Sequence, residues 1–369
     1  MLNSQQFIGN KFVNSIGSLL FGIIVFIGAF VVLYIGETRM DYSNVAQKAV
    51  EVAQADEQTD FVYLTGSLST GQMLGDELYL KRGDYIAVDR IVEMYAWSEE
   101  SETTENDITT YNYVSGWTEN PQDSSSFDSS VFYENPEMKI KSERFLAESV
   151  TIGDYLIDME KVRLPAFIEF KINESNITLG NYETLDTLDG KTYIYDGYAT
   201  LAEPEIGSIR VSYNVIPAGK KVTLFGKTQG KEFVKHTGEK EKELYRMFYG
   251  TKDDAAEILK GEYNTWGWIY KIIGFFAMWL GLGMILKPLS VTMEIIPVLG
   301  GLGKSALGII SFIAALILTF VTSFVLGVLN SPVGIILIIL PVILIGMYVN
   351  SMRSAKQHTK GPGTPPTAL

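Results

Sequence analysis

The residues best suited to acid–base chemistry lie in DRIVEMYAW, Asp89 to Trp97. At the two-residue period of a strand, Glu93 and Tyr95 share a side with Ile91 and Trp97. A carboxyl beside a phenol is a general-acid arrangement, but that chemistry needs a proton partner and none is visible nearby. A strand carboxylate facing solvent or a hydrogen bond explains Glu93 more simply. Arg90, Glu93, Tyr95 and Trp97 are therefore a candidate interaction strand, expected to pack its aromatic face inward, and no residue is assigned a catalytic role. Cysteine is absent, which removes disulfides, thiolate nucleophiles and sulfur ligands. Two isolated imidazoles, His236 and His358, argue against a zinc centre or a histidine triad. GGLGKS (300–305) imitates a phosphate loop, but Val298 stands where the motif needs its first glycine. No run follows the Asp/Asn spacing of a calcium loop. No cofactor or metal is expected.

These residues must be held by elements that the composition describes well. The chain has 369 residues, 47% hydrophobic and 20% charged, a mixture that fits part membrane and part aqueous protein. A net charge of −13 argues against a nucleic-acid partner. Four apolar stretches meet the length of a spanning helix, roughly 20 residues. They are 16–36, 264–286, 306–329 and 333–349, the last containing Pro341. The first is longer than a signal-peptide core and lacks a cleavage site, so it reads as an uncleaved anchor. Tyr263, Trp266, Trp268 and Tyr270, with Lys271, cluster where the second span begins, the composition of an anchor at headgroup level. Lys271 is within snorkelling reach of the interface. Ser311, Thr319, Thr322 and Ser323 are expected to hydrogen-bond between helices, with Gly308 and Gly327 permitting close approach.

Charge sets the expected orientation. The interval from Glu37 to Glu262 carries 42 of the 43 acidic residues and 23 of the 30 Lys and Arg, net −19, while the remainder is net +6. Short flanks rich in Lys and Arg stay in the cytoplasm. Residues 1–15, the 287–305 loop and the 350–369 tail are thus expected to be cytoplasmic, and 37–263 to form an extracytoplasmic or lumenal domain. The apolar stretch 291–301 is too short to span and reads as an in-plane or re-entrant segment.

Within 37–263, six strand-like pieces stand out: 61–68, 90–97, 110–117, 191–200, 208–216 and 221–228. Turn signals follow at 188–190, 218–220 and 229–231. Residues 43–53 carry a helical apolar stripe after Ser43, 251–263 read as a helix capped by Thr251, and the acidic stretch 98–107 reads as an exposed connection. The expected fold is an integral membrane protein with four transmembrane α-helices, one N-terminal and three C-terminal, plus a large α+β, strand-rich non-cytoplasmic domain.

Several segments carry a resemblance in order along the chain: FVYLTGSLSTGQMLGDE (61–77), VEMYAW (92–97), YNYVSGW (111–117), Asn135–Pro136, EIGSIRVSY (205–213) and NTWGWIYKIIGFFAMWLGLGMI (264–285). With them the chain resembles the LUMA, or transmembrane protein 43, family. The resemblance implies the same layout of one leading span, a large non-cytosolic domain and three trailing spans. It implies a protein that organises other membrane proteins and self-associates; in animals the family sits in the endoplasmic reticulum and inner nuclear membrane with lamins and emerin as partners. It supplies no catalytic residue. The expectation is a non-enzymatic scaffold in contact with the lipid bilayer, a homo-oligomer, in a bacterial inner membrane or the corresponding eukaryotic membranes. The alternative is a transporter or channel component with a path along the C-terminal spans. A scarcity of ionisable residues inside the spans weighs against that alternative.

Overall fold

The computed structural model describes residues 2–55, 59, 61–104, 107–235, 244–294 and 300–330. Among them are four α-helices: α1 (Leu2–Thr38), α2 (Tyr42–Lys48), α3 (Lys252–Glu294) and α4 (Gly300–Leu329). The strands are β1 (Val50–Glu51), β2 (Val62–Thr70), β3 (Tyr85–Thr103), β4 (Thr109–Thr118), β5 (Glu143–Leu146), β6 (Val150–Ile152) and β7 (Tyr155–Ile157). They continue with β8 (Ile168–Glu169), β9 (Thr184–Leu188), β10 (Lys191–Asp196), β11 (Ile209–Pro217), β12 (Lys221–Gln229), β13 (Glu232–Val234) and β14 (Met247–Tyr249). The chain divides into two compact units, Tyr42–Leu259 and the combination of Met1–Asp41 with Lys260–Leu369.

In the first unit, β12 alternates Val222 and Leu224 with Thr223 and Phe225, and all four are buried. A strand covered on both faces must be apolar on both. Val222 and Leu224 join Val62, Leu68, Ile152 and Phe233 in one core, while Phe225 joins Ala46, Phe248, Ala255 and Leu259 in another. The strands around the first core close on themselves: β2 pairs β6, β6 pairs β7, β7 pairs β13, β13 pairs β12, and β12 returns to β2. Closure removes free edges from this ring. Each large side chain fully buried there contributes about 1.5–3 kcal/mol.

The second sheet runs β4-β3-β11-β10-β9, with β5 beside β3 and β8 beside β11. β9 and β10 meet through Asp189 and Gly190, both at positive φ, 52° and 81°, the twist that a two-residue hairpin prefers. The 19-residue β3 pairs β11 through Met94 and β4 from Met94 onward. Past the end of β11, side chains meet its exposed backbone. Asn135 accepts from the Trp97 N–H at 2.7 Å and donates to the Trp97 carbonyl at 2.9 Å, and Gln122 accepts from the Glu99 N–H at 2.8 Å.

Each of the six strand-like segments falls on a strand, but β10 stops at Asp196 and leaves 197–200 outside it, and two further expectations differ in extent. The acidic stretch 98–107 is mostly strand, because β3 runs on to Thr103 against the Thr- and Tyr-rich β4. The helix expected over 43–53 stops at Lys48; Val50 and Glu51 pair in parallel with Val62 and Tyr63, so sheet pairing of a β-branched residue overrides the local helical stripe. At the start of α3, Thr251 and Asp254 form the expected reciprocal cap, the Asp254 carboxylate accepting from the Thr251 N–H at 2.7 Å.

In the second unit, α1, α3 and α4 each contain a stretch long and apolar enough to cross a membrane. Their exposed Ile24, Ile27, Leu280, Leu316, Ile317 and Phe320 suit lipid and not water. Ala29, Leu33, Met278 and Ala315 form the core among them. α3 passes through Pro288 to Glu294, and residues 300–305 begin α4, where the sequence had suggested a loop. The fourth expected span, 333–349, lies outside the described residues, as do both histidines and the tail. The close helix approach also falls elsewhere than expected. A side chain at Gly308 would meet nothing within 4 Å and one at Gly327 would lie 3.8 Å from Glu37 Oε2, whereas the tightest approach is at Gly22 and Gly281, where α1 and α3 touch, a Cβ at Gly281 lying 2.7 Å from the Phe26 nitrogen.

Candidate interaction site

β3 presents two unlike faces. Val88, Val92, Met94 and Ala96 are buried in the core that also takes Ile194, Val211, Tyr213 and Val215. Glu93, Tyr95 and Trp97 lie on the opposite, partly covered face, so the expectation that the aromatic face packs inward is corrected. The reason is the two-residue period: with Val88, Val92, Met94 and Ala96 set into the inner core, Glu93, Tyr95 and Trp97 necessarily point to the other side. Arg90 belongs to the inner face, so the four candidate residues do not share one side.

On the outer face Glu93 stands opposite Arg210 in register. The pair is bidentate, at 2.7 and 2.9 Å. The guanidinium lies 4.6 Å from the Trp117 ring centre and 4.8 Å from that of Tyr193. Tyr95 meets Trp117 edge-on at 5.4 Å, and its hydroxyl is 3.0 Å from that of Ser115. Trp97 meets Tyr133 edge-on, and Tyr133 stacks on Tyr113 at 3.8 Å. With both carboxylate oxygens of Glu93 held by one fork, the arrangement fixes the two side chains across the β3–β11 pair. It is an aromatic platform across β4, β3, β11 and β10. Among the described residues, no group of three or more His, Asp or Glu is placed to hold a metal ion.

Under the sheet, Arg90 anchors a polar cluster. Asp76 Oδ1 accepts from the backbone N–H groups of Leu78, Tyr79 and Leu80 at 3.1, 2.8 and 2.7 Å. Its Oδ2 takes Arg90 Nη1 at 3.3 Å and the Tyr213 hydroxyl. Arg90 Nη2 reaches Glu143 at 2.9 Å, and the Tyr79 hydroxyl donates to Glu183 at 3.4 Å. Sequence reasoning missed Asp76 and Tyr213. The available signal was the acidic pair Asp76–Glu77 set among apolar residues in LGDELYL, of which Asp76 is buried and Glu77 exposed.

This burial predicts a pH response. Burial, and then the Glu183 charge, push the Tyr79 phenol up to about 12 from 10.0, and burial pushes Tyr245 up to about 12 as well. Burial and the bond to Asp76 raise Tyr213 further. A raised folded-state value means that the folded protein keeps protons the unfolded chain releases. The stabilisation is complete below the unfolded value near 10 and is lost as pH rises from there through about 12. Urea midpoints of the full chain should therefore fall steeply over that interval, and Tyr79→Phe with Tyr245→Phe should flatten the slope. Midpoints that stay level to pH 12 would contradict it.

In the helical unit the expected interfacial residues are set around the α1 end. Arg39 donates to the carbonyls of Gly36 and Tyr263, with its guanidinium 4.1 Å from the Tyr263 ring centre. Tyr270 packs where a Gly36 side chain would be. Trp266 and Trp268 are exposed. Lys271 pairs with Glu37 at 3.2 Å and lies 5.7 Å from the Trp268 ring centre. Near the other helices, Thr319 Oγ1 reaches Met278 Sδ at 3.8 Å, whereas Ser311 bonds back to Gly308 in its own helix.

A helical unit with three candidate spans and a strand-rich unit carrying an aromatic platform define a membrane protein with a large β domain. A sequence model of the family described as Transmembrane protein 43 matches residues 94–329. The chain belongs to the transmembrane protein 43 family. It is 23% identical over 340 residues to Transmembrane protein 43 of Rattus norvegicus, covering 83% of this chain and 82% of that protein. Identity is 23% over 341 residues with the Homo sapiens protein, with the same coverage, and 23% over 309 residues with the Drosophila melanogaster homolog, covering 76% of this chain and 79% of that one. No solved structure matches the chain.

Proposed function

We propose that the protein is a non-enzymatic membrane scaffold that self-associates and gathers other membrane proteins, with the acid-rich unit outside the cytoplasm and both termini inside. One observation carries the self-association: β4 is a ten-residue edge strand of an open sheet, and Tyr111 and Val114 on it, with Ile108, Val131 and Phe132 nearby in sequence, are exposed. An unpaired edge with apolar side chains recruits another strand through backbone hydrogen bonds. The partner we assign is a second copy of the same chain. The orientation is supported by the placement of Lys and Arg outside the 37–262 interval. The membrane is a bacterial inner membrane or, in a eukaryotic cell, the endoplasmic reticulum and inner nuclear membrane.

The full chain solubilised in mild detergent should run as a dimer or larger species in light scattering. Val114→Lys with Phe132→Ser should shift it towards monomer without lowering its melting temperature, because both side chains are exposed. A monomer mass across a hundredfold concentration range refutes the self-association, and a topology reporter at residue 150 that reads cytoplasmic refutes the orientation.

A further inference from the structure

Between α3 and α4 of the helical unit runs a groove of 790 Å³, with Ile272, Phe275 and Phe276 on one wall and Leu316, Phe320 and Phe324 on the other. Phe276, Phe320 and Phe324 are exposed along it, so nothing among the described residues covers this face. The lining follows α4 from Leu316 to Val328, about 18 Å at the rise of a helix, and ends beside Glu37, whose Oε2 would lie 3.8 Å from a Cβ at Gly327. Thr319 and Ser323 put two hydroxyls in the same lining. Thr319 Oγ1 reaches Met278 Sδ at 3.8 Å, whereas the Ser323 hydroxyl oxygen is buried and has no hydrogen-bond partner among the described residues. In an apolar layer such a hydroxyl is unfavourable until a partner reaches it.

The chain itself leads an acceptor to this place. The described residues end at Asn330, which is pinned at the mouth of the groove: its N–H donates to the Leu326 carbonyl at 3.0 Å and its Nδ2 to the Glu37 carbonyl at 2.9 Å. Ser331 and Pro332 follow, a capping residue and the residue favoured at the first helical position. Residues 333–349 carry no charge and as a helix are about 25 Å long, enough to cover the groove from end to end. So short a connection returns a helix antiparallel to the one before it. Counted from Ser331, Ser323 then stands level with Ile339, about 3 Å along the axis from Leu337. The Leu337 carbonyl is the one left unbonded in such a helix, because Pro341, four residues on, has no N–H to give it. A neighbouring serine hydroxyl is a group that satisfies a freed carbonyl inside a membrane.

We infer that the groove is the seat of residues 333–349 of the same chain, with the Ser323 hydroxyl donating to the Leu337 carbonyl. Both hydroxyls of the lining are then engaged, and the groove is a dry helix contact and not a polar path between the spans. The inference needs neither the self-association nor the orientation proposed above.

Photo-crosslinking of the full chain in membranes tests it, with p-benzoylphenylalanine placed at Phe276 in the groove and, as control, at Val321, which is exposed on α4 outside the lining. After irradiation, mass spectrometry of the monomer band should find about tenfold more capture of residues 333–349 from position 276 than from position 321. Equal capture from the two positions, capture of those residues only in a dimer band, adducts with lipid alone, or no capture overturns the inference. A second measurement reads the hydrogen bond. Ser323→Ala should lower the melting temperature in detergent by about 2–4 °C in the parent chain and leave Pro341→Leu unchanged, because in that variant the carbonyl has a partner in its own helix. No drop in the parent, or an equal drop in both backgrounds, overturns the assignment of Ser323 to Leu337.

Discussion

Asp76→Ala is expected to destabilise the β unit by about 3–5 kcal/mol, the range for removing one partner of a buried ion pair. The side chains of Arg90 and Asp76 are 6% and 0% exposed. Alanine would strand the guanidinium, the Tyr213 hydroxyl and three backbone N–H groups in an apolar layer that water does not reach. A domain is stable by only about 5–15 kcal/mol, so a loss of this size is a large share of the total. Urea unfolding of the full chain, followed through Trp97 and Trp117, reads the effect directly. The neighbouring Glu77→Ala serves as a control, because its pair with Arg82 is 73% and 85% exposed and a solvent-screened pair contributes almost nothing. Replacing both buried partners by apolar residues, Asp76→Leu with Arg90→Met, should recover part of the loss, because no unpaired charge is then left inside. A shift of under 1 kcal/mol for Asp76→Ala would show that the cluster is open to water.

The second large effect is expected at Gly281. A Cβ there would lie 2.7 Å from the Phe26 nitrogen and 2.9 Å from its Cα, and backbone cannot swing aside as a side chain can. Gly22 faces the same crossing, its Cβ position 2.9 Å from the Gly281 carbonyl oxygen. Gly281→Val should push α1 and α3 apart and cost about 1–3 kcal/mol or more through overpacking. In a bilayer the helices have no hydrophobic drive to reassociate, so packing at small residues carries more of the adhesion. Thermal unfolding in detergent measures it. Gly283→Ala and Gly28→Ala are the matched controls, since a side chain at either site meets nothing within 4 Å. They should be neutral or slightly stabilising, because alanine favours the helix over glycine by up to about 1 kcal/mol. A Gly281→Val protein that melts like these controls would place the helix contact elsewhere.

The long elements were legible because their signals are local. The strands around 90–97 and 221–228 announce themselves by β-branched and aromatic runs, and the apolar stretches in α1, α3 and α4 by length alone. Strands such as β6, β7 and β13 have three residues each, too few to display a period, and they form only because neighbours distant in sequence pair with them. The closed ring was illegible for the same reason: β2 and β12 are adjacent in space and lie more than 150 residues apart. Arg90 was grouped with Glu93, Tyr95 and Trp97 although its even position puts it on the other face, an error the two-residue period itself exposes. The buried cluster could not be read at all, since its members Asp76, Arg90, Glu143 and Tyr213 are scattered over more than 130 residues. Family likeness implied a membrane protein with a large strand-rich domain; it did not supply the chemistry of any side chain.

Asn135 has a consequence for how the molecule can meet its neighbours. Its amide gives and takes at Trp97 as an adjoining strand would, and so one side chain plugs a slot that an intruding peptide would otherwise fill. That flank of β3 is thereby closed to an intruding strand, and the strands at the two ends of the sheet are β4 and β9.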